Sequence, residues 1–221
     1  MKHIKTFLLL VPIALCSAGL KVPDHVKNST VDGNGVLLVY TGNINGTMSM
    51  DIGIHVEIDS SVGVRYDVVF EKGNNVMSHV ALFYKFSDPL KTIIYNFVTH
   101  KSIVNTCCGV TAGDGMNVKV VGNDIIDSFS CTHLQGINNS VNGQENYWVS
   151  TQVPGYLKLL KILNNISPGL QQMFVNGNIF QWGGLVKLSH TSNGQEYANV
   201  RLVEANSTMT FPASDFDVPS S

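Results

Sequence analysis

A chain of 221 residues with 14 Lys and Arg against 16 Asp and Glu has a formal charge of −2, and only 14 % of it is charged. It holds no basic stretch to neutralise phosphates, which excludes the electrostatic footprint of a nucleic-acid binder. Its length suits one domain with a real core, and no stretch is apolar for long enough to predict a membrane span.

Residues 1–18 read as a secretory signal peptide. Lys2 and Lys5 give a positive start, residues 7–15 are an apolar run too short to cross a bilayer, and Cys16 and Ala18 are the small residues that precede a cut. What remains is expected to be one domain over 19–205 and a flexible C-terminal tail over 206–221, rich in Ser, Thr, Pro and Asp. Five acceptor triplets follow, at Asn28, Asn45, Asn138, Asn165 and Asn206, with Pro168 working against use of Asn165. Leader and triplets together predict a secreted, extracellular glycoprotein.

Strand patterning starts after the turn Asp32-Gly33-Asn34-Gly35, with residues 36–40. Residues 48–58 then alternate: Met48, Met50, Ile52, Ile54, Val56 and Ile58 on one side, Ser49, Asp51, Gly53, His55 and Glu57 on the other. A period of two fits a strand with one buried and one wet face. Val62, Val64, Tyr66, Val68 and Phe70 repeat it, with Arg65 and Asp67 outward. Further strands are expected at 79–86, 92–98, 116–120, 125–131, 147–153, 179–181, 185–188, 196–203 and 208–210. Residues 136–146 read as a long loop, and Asn176-Gly177 as a tight hairpin. Leu157, Leu160 and Leu163, with Lys158 and Lys161 opposite, predict a short helix over 156–164. About eleven or twelve short strands at regular spacing point to an all-β, antiparallel sandwich of two sheets. Met50, Ile52, Ile54, Tyr66, Val68 and Phe70 face its core.

Cys16 leaves with the leader, so Cys107, Cys108 and Cys131 remain. Neighbouring cysteines bond each other only under strain. An oxidising compartment favours one bridge, Cys108–Cys131 or Cys107–Cys131, and leaves a thiol that is either buried or pairs with a second chain as a disulfide-linked oligomer. The three cysteines lack zinc spacing. His55 and Glu57, with Asp51 and Asp59 in line, read as a solvated polar face before a metal site. No catalytic, dinucleotide or phosphate-loop motif appears, so no catalytic residue, metal ligand or cofactor is assigned. Tyr147, Trp148 and Trp182 lie beside turns, where an exposed ring stacks on the apolar face of a sugar.

The stretch HVALFYKFSDPLKTIIYNFVTH at 79–100 is similar to the central strands of galectins, and FVNGNIF at 174–180 resembles their late hairpin. The resemblance covers about thirty residues. It implies a galectin-like, concanavalin-type lectin β-sandwich. Phe83, Lys85 and Ser87 stand where galectins keep His, Asn and Arg, and Asn96 alone falls on a matching position. The Trp and Glu-x-Arg of that family have no counterpart near Cys107. The usual galactoside site is therefore not expected.

The residues lead to a non-catalytic, carbohydrate-binding module, with Trp148, Trp182, Tyr147 and Asn96 as its candidate ligand contacts and glycans or extracellular proteins as partners. Two other readings stay open at this point: a structural or protein-interaction glycoprotein, and a secreted glycan hydrolase assembled from distant strands.

Overall fold

The structure, a computed structural model, describes residues 33–45, 49–106, 118–138, 143–165, 179–192 and 194–219. Among the described residues it is all-β with one short α-helix. Strands β1 (Gly35–Ile44), β2 (Met50–Asp59), β3 (Gly63–Lys72), β4 (Asn75–Lys85), β5 (Lys91–Asn96) and β6 (Lys101–Thr106) form one meander. Strands β7 (Val118–Ile126), β8 (Phe129–Asn138), β9 (Gly143–Ser150), β10 (Gly184–Ser192) and β11 (Gln195–Met209) form a second, with helix α1 (Tyr156–Asn165) between β9 and β10. Pairing of β1 with β11 joins them into one antiparallel sheet, ordered β6-β5-β4-β3-β2-β1-β11-β10-β9-β8-β7.

This corrects the expected two-sheet sandwich: all eleven strands belong to one hydrogen-bonded sheet. Covalent reach dictates its shape. Residues 107–117 alone connect β6 to β7, the two outermost strands. Fully extended, that link spans at most ~43 Å. Eleven strands laid flat put the edges ~48 Å apart. The edge strands also run the same way, so the link must return along a strand length. A flat sheet cannot meet both demands, and the sheet curls.

Curling gives an inner and an outer face. Ile52, Ile54, Val56 and Ile58 of β2 share the inner face with Val36, Leu38 and Tyr40 of β1, Val64, Tyr66 and Val68 of β3, and Leu82 and Tyr84 of β4. Val200 and Leu202, Leu188, Tyr147 and Leu134 continue that core across the second meander. The alternation expected for Ile52, Ile54, Tyr66 and Val68 holds, while Met50 and Phe70 are half-buried at the strand ends.

Helix α1 packs on the inner face, one residue out of the expected register. Tyr156, Leu159 and Ile162 are buried, and Leu157 is 75 % exposed. Six of the first eight residues of α1 are apolar, so two adjacent stripes compete. The Tyr156 hydroxyl donates to the Phe180 carbonyl at 2.7 Å, and Lys158 Nζ donates to the Ser207 carbonyl at 2.6 Å. These ties select the stripe. Gly155 precedes the helix at φ +80°, with Val36 so close that a Cβ would sit 2.7 Å from its Cγ1.

Other boundaries also differ from expectation. The strand expected at 125–131 straddles a two-residue turn in which Asp127 and Ser128 both take positive φ. That is the primed hairpin geometry, here built without glycine. The loop expected at 136–146 is mostly the facing ends of β8 and β9. Residues 179–181 form a turn rather than a strand. The tail expected from Asn206 is instead the end of β11, followed by a 3-10 turn, Ala213–Phe216, which packs on β3 and β4. Residues 1–18, Asn28, Met48, Cys107, Cys108 and Asn176-Gly177 lie outside the described residues. Among the described residues no helix is long and apolar enough to cross a membrane.

Leu134 is fully buried on the inner face. Leu134→Ala should lower unfolding free energy by about 2–5 kcal/mol. Leu157→Ala should change it by no more than about 0.5 kcal/mol. Urea titration checks the inner-face core with the first variant and the helix register with the second.

Candidate functional site

The outer face divides into two polar regions. Over β1–β4 it is covered. Here His55 and Glu57, expected on a wet face, are buried, with Glu57 at 0 % exposure. The chain's own C-terminal residues lie over this face, which is why alternation in β2 does not predict exposure. His55 Nδ1 stands 3.5 Å from Glu57 Oε1. Next to them Arg65 grips Asp67 with two nitrogens, Nε to Oδ2 at 2.6 Å and Nη2 to Oδ1 at 3.0 Å. His79 Nε2 reaches the same Oδ1 at 3.0 Å and stacks on Phe97 at 4.0 Å. Burial alone pushes the Asp67 carboxyl up, but the hydrogen bonds from His79 and Arg65 and the Arg65 charge outweigh it. The group is held below the ordinary carboxylate value.

Over β7–β11 the outer face is largely open: Asp124, Gln144 and Arg201 are exposed, His133, Gln135, Trp148 and Lys187 are half-buried, and Asn146 is buried among them. Register places His133 of β8 opposite Trp148 of β9, Trp148 opposite Lys187 of β10, and Lys187 opposite Arg201 of β11. The indole stands between its two neighbours. His133 stacks on it at 4.4 Å and 16°, and Lys187 Nζ lies 4.7 Å from the ring centroid. Trp148 Nε1 donates to Asp124 Oδ2 at 2.7 Å, and His133 Nδ1 lies 3.5 Å from the same oxygen. Arg201 pairs with Asp127 in the β7–β8 turn. Beside this row, His133, Gln135 and Gln144 all converge on Asn146 Oδ1, at 3.1, 3.3 and 3.2 Å.

The expected ligand contacts do not come together. Tyr147 faces the inner core at 2 % exposure, with its hydroxyl on Glu145. The Trp148 ring is taken up by His133 and Lys187, which leaves no face for a sugar to cover. Trp182 is 41 % exposed in the turn before β10. Asn96 is on β5, in the other meander, where its Oδ1 accepts from the Val98 and Thr99 amides at 2.9 Å and closes a turn. Gln144 and Asn146 were missed because residues 136–146 read as a loop by composition, and Gln135 because it lies just before that stretch. The one available signal was their even spacing across 144 and 146, which puts two amides on one strand face.

Among the acceptor triplets, Asn45 is exposed at the end of β1. Asn206 is half-buried on β11, and its Oδ1 accepts from the Thr208 amide and hydroxyl at 3.0 and 3.1 Å. Asn138 ends β8 and Asn165 ends α1. Cys131 is a free, buried thiol whose Sγ lies 3.5 Å from the Phe129 carbonyl. The partners expected for it, Cys108 or Cys107, lie outside the described residues. Burial pushes the Cys131 pKa up, and the Asp124 charge adds to that.

No protein-family model matches the sequence, and no curated protein matches it. Similarity appears at the level of fold. An uncharacterized conserved protein from Thermus thermophilus superposes with a TM-score of 0.52 at 9 % identity, covering 85 % of this chain and 86 % of that one. This is a likeness of fold alone. MucB, solved in complex with MucA(peri), gives 0.44 at 11 % identity over 85 % of this chain and 55 % of its own length. A putative outer membrane lipoprotein-sorting protein domain from Vibrio parahaemolyticus gives 0.35 at 6 % identity over 84 % and 89 %.

The Asp67 pair has a defined pH signature. Its folded pKa lies below the unfolded value of about 3.9. Its contribution is therefore complete above that value and disappears as pH falls through the folded one. Asp67→Asn should cost about 3–5 kcal/mol at neutral pH, because the Arg65 charge stays buried without its partner. That difference should shrink below about pH 4 in acid-dependent urea melts.

Proposed function

We propose that this chain is an exported, non-catalytic binding module that takes an uncharged, polyhydroxylated ligand of the glycan class on the open outer face of β8–β11. One observation carries this reading: the Gln135–Gln144–Asn146 amide array beside the Trp148 row. Amides both donate and accept, as paired sugar hydroxyls require. They neither transfer protons nor attack carbon at neutral pH, which favours holding a ligand over transforming it. Lys187 and Arg201 are matched by Asp124 and Asp127, so the patch is charge-balanced and suits a neutral ligand over an acidic one. Several of these groups are already hydrogen-bonded to one another, so little side-chain freedom is lost on binding. The contact differs from the ring stacking that the sequence suggested: Trp148 stiffens the row, and its neighbours do the hydrogen bonding. The secretory leader and the acceptor triplets support an extracellular setting.

A glycan array followed by calorimetry tests it. Wild type should bind at least one neutral glycan saturably. Gln135→Ala with Gln144→Ala should weaken that binding about tenfold, two hydrogen bonds of about 0.5–1.5 kcal/mol each being lost. Leu157→Ala should leave it unchanged. An array blank at high protein concentration, or binding indifferent to the amides, would sink the proposal.

A further inference from the structure

The covered half of the outer face is built like a receptor for a short peptide, and the chain fills it with its own end. Phe216 sits in an apolar seat of Leu37, Met209 and Phe211, its ring edge-on to Phe211 at 6.1 Å and 84°. Val218 packs on a second seat of Ala81, Phe83 and Tyr95. Upstream of Phe216, Arg65 Nη1 donates to the Asp215 carbonyl at 3.3 Å. Lys85 pairs with the Asp217 carboxylate. The segment thus presents two apolar anchors two residues apart, an acid between them, and one clamped backbone carbonyl. This is a motif-sized set of contacts, made chiefly by side chains.

The receptor side is held independently of what it grips. Arg65 is fixed by its fork on Asp67, Asp67 by His79, and His79 by its stack on Phe97. Leu37, Ala81, Phe83 and Tyr95 are strand residues whose positions follow from the sheet. Phe211 is buried in the first seat, so the hinge falls at Pro212, which is extended at φ −57° and ψ 140°. An arm hinged there can swing while Phe211 and the sheet keep their places.

We propose that this groove accepts residues 213–218 from a second copy of the chain, so that two molecules exchange arms across a two-fold axis. Exchange reproduces each contact in both directions, which makes it a low-cost route to a dimer. In the single chain the short link holds the arm at an effective concentration of order mM. The exchanged form therefore emerges as protein concentration approaches that value.

Sedimentation of the full-length chain from about 10 µM to about 1 mM tests exchange. Wild type should pass from monomer to dimer, and Phe216→Ala should stay monomeric. A second measurement isolates the groove. A fluorescent synthetic peptide of residues 212–219 should bind the Phe216→Ala chain saturably, and bind wild type at least about tenfold more weakly, because the intact arm competes. Asp217→Lys in the peptide should weaken binding several-fold. Adding Lys85→Glu to the chain should restore it. Circular dichroism confirms that each variant keeps its β spectrum. Wild type that remains monomeric throughout overturns the exchange. Absent peptide binding, or binding indifferent to the charge swap, overturns the groove.

Discussion

The pairing of β1 with β11 is the constraint on which the rest of the molecule depends. Among the described residues it is the only strand pairing that joins the two meanders, and it brings together segments from opposite ends of the described chain. Without it there is no continuous inner face for α1 to pack against. With it, the short link from β6 to β7 forces curvature, and curvature makes the two faces unequal. One becomes core. The other is left to carry polar groups, some covered and some open.

That unequal outer face explains why the polar positions of alternating strands meet different fates. In β2 and β3 the non-core residues His55, Glu57, Arg65 and Asp67 are enclosed, and burial is tolerable because ionic groups sit beside opposite charges or hydrogen-bonding partners. In β8 and β9 the same pleat position places His133, Gln135, Gln144 and Trp148 on an accessible row. The period of the sequence is identical in the two places. What differs is whether another part of the chain lies on top. Gly35 shows how tightly the cover fits at one point: a Cβ there would come within 2.6 Å of the Phe211 ring.

The covered and open regions also suit different tasks. The Arg65–Asp67–His79 group is rigid, enclosed and matched in charge, which are properties of a structural anchor. The amides around Asn146 are reachable from solvent and share a single acceptor, so a ligand hydroxyl can substitute for one of the present bonds at little cost. Between them Arg201, tied to the Asp127 turn, marks the place where the open row meets the seam with β1.

Alternation at period two was sufficient to identify the β class, most strand positions in β1–β5, and the inward set of Ile52, Ile54, Tyr66 and Val68, because facing direction is a local property of the pleat. Helical spacing likewise located α1. Local pattern could not choose between two apolar stripes one residue apart in α1, since both satisfy the helical period and only Tyr156 and Lys158, bonding to remote carbonyls, break the tie. It could not distinguish one curled sheet from two stacked ones, because both need the same alternation and differ only in which strands share hydrogen bonds. Nor could it show that Glu57 is enclosed while Gln144 is open: burial of a strand's second face is decided by residues more than a hundred positions away.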